Sequence, residues 1–281
     1  MPSFFPDDHL QLPSFKSLLV KGPYHPSAPL YLALSQSTQS EDAPAVLLSS
    51  SSRKLNLSLR QYNDGWFTDN LGHGGISAVS SQVQIFYPPT PAHFIFLLST
   101  LHVVGSTVID ADVAHPKTVL GSVPSMIILH ELSSYFLKDD EPQPNSEKWT
   151  VSSYLTLVTQ AASFVSFLSS QNASHAISLA LFDSRIDELK LPVLKAPEPS
   201  HLLYHRVEYK TESEDVTSLV QHYFEWAAHF HEEFPTADTR SMQVKLYKHS
   251  FSEMIVAHRW REARVPRRNG VGWRTEFVWE N

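Results

Sequence analysis

An α/β fold, with a mostly parallel sheet flanked by helices, is what this 281-residue sequence predicts. Three observations lead there. Short apolar runs recur at 18–20, 46–48, 83–87, 126–129 and 177–182, bounded by Ser, Gly or Pro. Their apolarity is continuous, as in strands buried on both faces. Helical patterns lie between them, and strand–helix alternation over 17–183 implies helices on both sides of a sheet. Finally, three strand-like runs follow one another near the C-terminal end, which favours antiparallel pairing.

The elements follow in order. Leu18–Val20 is a strand leading into Gly22, and Pro29 opens a helix over Leu30–Leu34. Ala45–Leu48 is the second strand, followed by the serine run Ser49–Lys54. Gly72–Gly75 is an anion nest or a flexible loop before the strand Val83–Tyr87. Thr90-Pro91 places a capping residue before a first-turn proline. Phe94, Leu97, Leu98 and Leu101 then form one apolar face. Met126–Leu129 is a strand ending in His130-Glu131, with a turn and helix over Leu132–Leu137. A helix from Ser152 to Ser169 carries the stripe Leu155, Val158, Ala162, Val165 and Leu168. Ile177–Phe182 is a buried strand followed by Asp183-Ser184-Arg185, a position where α/β proteins place ligand contacts. Asp215–Phe234 is predicted as a helix, and Met242–Tyr247, Met254–Trp260 and Trp273–Trp279 as strands extending one sheet edge. Exposed loops are expected at Gly105–Ser122, Lys138–Lys148 and Lys195–Ser200. The whole of 1–281 is expected to be one domain, with an α/β core at 17–185 and a helix plus antiparallel strands at 200–281.

Composition narrows the function classes. Hydrophobic residues make up 42% and charged residues 18%, enough for a sizeable core. The net charge of −7 confines any nucleic-acid surface to a local patch. The chain has no cysteine, which excludes disulfides, cysteine-ligated zinc, iron–sulfur clusters and a thiol nucleophile. It fits a reducing compartment, cytosol or nucleus. The opening stretch has acidic residues and prolines but no basic segment followed by an apolar one, so no signal peptide is expected. No continuous apolar run approaches the ~20 residues of a membrane span.

The segment 17–35 has the layout of a phosphate-binding loop without its chemistry. Counted from Gly22, the motif G-x-x-x-x-G-K-[ST] would need a second glycine, a lysine and a hydroxyl residue. Ser27, Ala28 and Pro29 stand there instead. Pro23, Pro26 and Pro29 also lack the N–H donors that cradle phosphate. The second catalytic strand of such a fold would end in an aspartate supporting magnesium. Here it ends in His130, a poor ligand for that hard ion, and Glu131 is a possible substitute. The alternative is a plain strand end leading into a helix.

Other clusters carry less. Ser49–Lys54 supplies hydroxyls and a cation but no glycine for close approach to phosphate, and a strand end followed by a helix N-terminus is the favoured reading. His222, Glu225, His229, His231 and Glu232 fall together, with Glu225 and His229 four apart on the expected helix, but H-E-x-x-H is absent. Arg259, Arg261, Arg264, Arg267, Arg268 and Arg274 fall within sixteen residues, interleaved with Trp260 and Trp273 and opposed only by Glu262. Such a patch suits phosphate-backbone contact with base stacking. A solvated inter-strand loop is the equal alternative.

The frame LLVKGPYHPSAPLYLAL, then APAVLLSSSSR, VQIFYPPTPAHFIFLLSTLH and PSMIILHELSSYFLKDDEPQ, with a final TEFVW, resembles the ATPase-like RecA/recombinase-paralogue subunit of the Shu complex. Tyr87-Pro88-Pro89 and the Ile-Leu-x-x-Leu-x-x-Tyr pattern ending at Tyr135 are its most specific pieces, and the match covers about 17–185. The resemblance implies a RecA-like core, a nuclear location and a part in homologous recombination. It also implies support of recombinase filaments on single-stranded DNA together with a SWIM-type zinc-finger partner, which would hold the zinc. The family's Walker lysine maps onto Ala28 and its Walker aspartate onto His130. The chain is therefore expected to be non-catalytic and to use neither ATP nor magnesium. Two alternatives stay open: a Walker-less RecA-like scaffold subunit of an Elongator-type tRNA-modification complex, and an active ATPase using Ser49–Lys54 or Glu131.

Overall fold

The computed structural model describes residues 1–6, 10–39, 43–70, 74–103, 118–137, 149–171, 176–193, 213–235, 239–248, 253–267 and 272–280. The chain begins with β1 (Ser17–Lys21), α1 (Ala28–Gln39), β2 (Ala45–Ser49), α2 (Ser52–Tyr62), α3 (Gly65–Asn70), α4 (Gly74–Ser81) and β3 (Val83–Phe86). There follow α5 (Pro91–Thr100), β4 (His102–Val103), β5 (Val119–Leu120), β6 (Met126–His130), α6 (Val151–Gln171) and β7 (Ser178–Asp183). It ends with β8 (Lys190–Pro192), β9 (Ser213–Asp215), α7 (Val216–Val220), β10 (Trp226–Pro235), β11 (Thr239–Lys248), β12 (Glu253–Pro266) and β13 (Trp273–Trp279).

One sheet of nine strands organises the molecule, in the order β13-β12-β11-β10-β1-β7-β6-β2-β3. β10, β1, β7, β6, β2 and β3 run parallel to their neighbours. β10 through β13 pair antiparallel and extend the edge beside β1. The glycine-turn strand β1 sits centrally, separated from β6 by β7. This is the mostly parallel sheet with helices between its strands and C-terminal antiparallel strands expected from the sequence.

Continuous apolarity has the anticipated cause. Leu19, Val46, Leu48, Ile127, Leu129 and Leu181 face one core layer, with α5, α6 and α7. Leu18, Val20, Leu47, Ile128, Ala180 and Phe182 face the other, with α1 and the N-terminal residues Phe4, Phe5, Leu10 and Leu12. All five residues of β2 and of β6 are buried.

The structure corrects several expectations. Asp215–Phe234 is not a helix: only Val216–Val220 is α-helical, and Trp226–Pro235 is strand β10. Its Trp226, Ala228 and Phe230 alternate onto the core. Pairing with β1 and β11 on both sides outweighs the helix preference of its Ala and Glu residues. The α6 stripe is rotated: Tyr154, Leu157, Ala161 and Phe164 are buried with Val158 and Leu168, while Leu155, Ala162 and Val165 pack at its margin. The helix expected at 132–137 is a 3-10 turn, Leu132–Tyr135. Strand β12 runs through Pro266, so the arginines at 259–264 lie on a strand and not in a loop. α6, with 21 residues, is long and apolar enough to cross a membrane by length and composition; its buried stripe packs on the sheet. The loops expected at 105–117, 138–148 and 195–200, and Gly72 with His73, lie outside the described residues.

Candidate functional site

The turn after β1 closes on itself. Gly22 has φ +86°, and a Cβ there would stand 2.1 Å from the Phe230 carbonyl oxygen of β10, so only glycine fits. The Tyr24 amide donates to the Gly22 carbonyl at 2.8 Å, and the Ala28 amide to that of His25 at 2.9 Å. Ser27 is fully buried; its Oγ lies 2.6 Å from His25 Nδ1 and donates to Asp64 Oδ2 at 2.7 Å. Tyr31 donates to the same oxygen at 2.8 Å. Burial raises the Asp64 carboxyl, opposed by these hydrogen bonds. The His25 imidazole is pushed down to about 3, chiefly by burial and next by Arg240, and is therefore neutral. Ala28, the first residue of α1, is buried. Pro29 continues that helix and offers no hydroxyl.

Above this turn two strand ends meet a tyrosine. Tyr24 donates its hydroxyl to Glu131 Oε1, and the Ser184 amide donates to that same oxygen at 3.1 Å. The Tyr24 ring meets Phe182 and Phe230 edge-on at 5.3 and 6.2 Å. Glu131 occupies the left-handed region at φ +56°, and its amide donates to the Phe182 carbonyl at 2.7 Å. His130 Nδ1 lies 3.0 Å from Ser49 Oγ, and burial lowers its pKa. Asp183 at the end of β7 is turned inward, accepting from the Ser133 amide at 2.8 Å, the Ser133 hydroxyl, and Tyr154 at 2.7 Å. Burial, and then the neighbouring Glu131, push Asp183 up to about 7. The Tyr24 hydroxyl is raised by the same two causes.

A cleft of about 550 Å³ opens at the carboxyl ends of these strands, where open α/β sheets place their ligands. Pro23, Tyr24 and Pro26 wall it on one side, His130 and Glu131 on another, and Ser49–Ser51 with Lys54 on a third. Ser51 caps α2 by accepting from the Lys54 amide at 3.2 Å. The structure therefore gathers the turn after β1, the His130-Glu131 strand end and the serine run into one place. Ser27, Ala28 and Pro29 do not line it. The chemistry left is that of a hydroxyl-rich cleft with Lys54, Arg185 and Arg240 at its walls. Both carboxylates that line it are engaged, Glu131 by Tyr24 and Ser184, and Glu188 by Arg185 at 2.8 Å; Asp183, behind the wall, is held by Ser133 and Tyr154. Among the described residues no three His, Asp or Glu side chains converge as a metal site.

The arginines do not form one stripe. Arg259 and Arg261 are exposed on one face of β12, paired with Glu233 at 3.3 Å and Glu280 at 3.1 Å. Arg264 projects from the other face, its guanidinium 4.4 Å above the Trp273 ring. Arg267 donates to Asn63 Oδ1. Arg274 bridges Asp69 and Glu276. Arg268 lies outside the described residues. Trp260 is fully buried in the core. The histidine cluster also dissolves: Glu225 accepts from the Lys16 amide at 3.1 Å, while His229 and His231 share one face of β10 with rings 5.9 Å apart. Glu232 turns to Arg240 on the opposite face.

Three residues that organise the site escaped sequence reasoning: Tyr24, Asp64 and Asp183 in its buried role. Only Asn63-Asp64-Gly65 carried a signal, a turn sequence after a helix.

No protein-family model matches this chain, and no curated protein does. Solved structures do match. The flagellar accessory protein FlaH from Methanocaldococcus jannaschii is 9% identical with a TM-score of 0.39, covering 93% of this chain and 89% of that one. A DnaB-like replicative helicase is 11% identical with a TM-score of 0.34; the match covers 87% of this chain and 54% of the helicase.

Proposed function

We propose that this chain is a non-catalytic RecA-like scaffold subunit that supports recombinase filaments on single-stranded DNA, in partnership with a SWIM-type zinc-finger protein in the nucleus. The observation that carries the non-catalytic part is the bond from Tyr24 to Glu131. In a working site the turn would present amides and a lysine to phosphate, and the acidic strand end would support magnesium. Here the turn's own tyrosine occupies the acid, and the lysine position is a buried alanine. The recombination role rests on the sequence resemblance. DNA contact is supported by Arg264 paired with Trp273 and by the exposed Arg259 and Arg261.

Two experiments test this. Calorimetric titration of the full chain with Mg-ATP is expected to show no binding; measurable affinity would restore an ATPase using Ser49–Lys54 or Glu131. Affinity purification from a cell that carries the protein is expected to recover a SWIM-type zinc-finger protein and a recombinase. Recovery of Elongator-type subunits in their place would assign the scaffold to tRNA modification.

A further inference from the structure

α5 and α6 pack side by side on one core layer, and their outward surface carries no formal charge. Neither helix contains Lys, Arg, Asp or Glu over its 10 and 21 residues, in a chain of net charge −7. Phe96 on α5 is 66% exposed and Phe167 on α6 is 55% exposed. Around them the outward positions are Thr156, Gln160, Ser163 and Ser166. A hollow of about 260 Å³ opens between the helices, lined by Leu98, Leu101, Phe164 and Phe167. Ser99 also lines it, one helical turn from the projecting ring of Phe96. A protruding aromatic and a recess for one thus lie on the same face.

We propose that this face is a self-association surface on which a second copy of this chain docks about a two-fold axis, each Phe96 entering the other copy's hollow. A two-fold interface sets one patch against itself, so the patch must be complementary to itself. A formal charge near the axis would face its own copy; the α5–α6 surface has none. Aromatic enrichment and loss of charge are the traits of an interface core. A dissimilar partner would not need ring and recess together on one face. At about 1.5 Å per residue α6 is about 30 Å long, which sets the length of the face. The expected dissociation constant is on the order of micromolar. The surface shares no residue with the cleft or the arginines, so it stands apart from the proposed function.

Sedimentation velocity of the full chain across about 1–100 μM tests it, because that range brackets a micromolar constant. A concentration-dependent dimer is expected, little changed by raising the salt. Phe96→Asp and Phe167→Asp should each weaken it at least about tenfold, through like charges meeting across the axis. The absence of native cysteine permits a second test that does not depend on those variants. Ser163→Cys should give a covalent dimer with a short bismaleimide, whereas the exposed control Ser218→Cys should not. A monomer throughout the range, a dimer indifferent to both aspartates, or equal cross-linking of the two cysteine variants would each overturn the proposal.

Discussion

Single residues decide what the cleft can do. Gly22 is required by geometry: a side chain would need both a positive φ and space already held by the Phe230 carbonyl. Gly22→Ala is expected to cost at least about 2 kcal/mol, read as a shift in the denaturant midpoint; an unchanged midpoint would remove the clash as a constraint on this turn. Asp183 makes a pH prediction. Its folded pKa of about 7 lies above the ordinary aspartate range near 4, so the folded state binds its proton more tightly than the unfolded one. The stability this contributes is full below about pH 4 and is lost as pH rises to about 7. His25, held down to about 3, works in the opposite sense, adding stability as pH rises toward about 6.5. A comparison with Asp183→Asn therefore isolates the carboxyl. Between pH 5 and 7 the wild type should lose stability relative to this variant, by up to about 1.4 kcal/mol per pH unit. Parallel curves for the two proteins would mean that Asp183 is ionised throughout.

At the scale of elements, caps and periodicity are local and pairing is not. Thr90 was legible as the cap of α5, and it accepts from the His93 amide at 3.3 Å. Thr90→Ala should cost about 1 kcal/mol in a melt, with Thr90→Ser close to wild type; equal losses in the two would assign the effect to packing of the threonine methyl. The strands β1, β2, β3, β6 and β7 were legible because each is an apolar run short enough to cross a sheet once. β10 was not. Its Trp-Ala-Ala-His-Phe-His-Glu-Glu segment satisfies both a helix and an alternating strand, and the choice is made by β1 and β11, whose positions the segment does not encode. The start of α2 was legible in the serine run, but its length was not, and α3 and α4 were missed for a related reason: α2 buries only Leu55, so the core-facing signal is weak. The bond from Tyr24 to Glu131 was not legible, because it joins residues 107 positions apart in sequence.

For the molecule as a whole, the antiparallel extension converts an arginine cluster in sequence into several separate surfaces. Alternation along β12 sends Arg259 and Arg261 to one face and Arg264 to the other, while Arg274 ties β13 to Asp69 of α3. With a net charge of −7, any DNA contact must come from the exposed members of this set, since the bulk field repels phosphate. Arg259, Arg261 and Arg264 are exposed, and their ion pairs at the surface are weak enough for phosphate to displace. Replacing these three by Ala should weaken single-stranded DNA binding and make its salt dependence shallower. On a single strand, each phosphate left without its arginine takes about 0.7 off the slope of log affinity against log salt, so a change of up to about 2 is expected. Arg274→Ala separates structure from contact. Arg274 is only 15% exposed and is held by two carboxylates, so this variant should lower the melting temperature and leave the salt slope unchanged. If the triple variant kept both affinity and slope with its fold intact, the exposed arginines of β12 would not be a DNA surface.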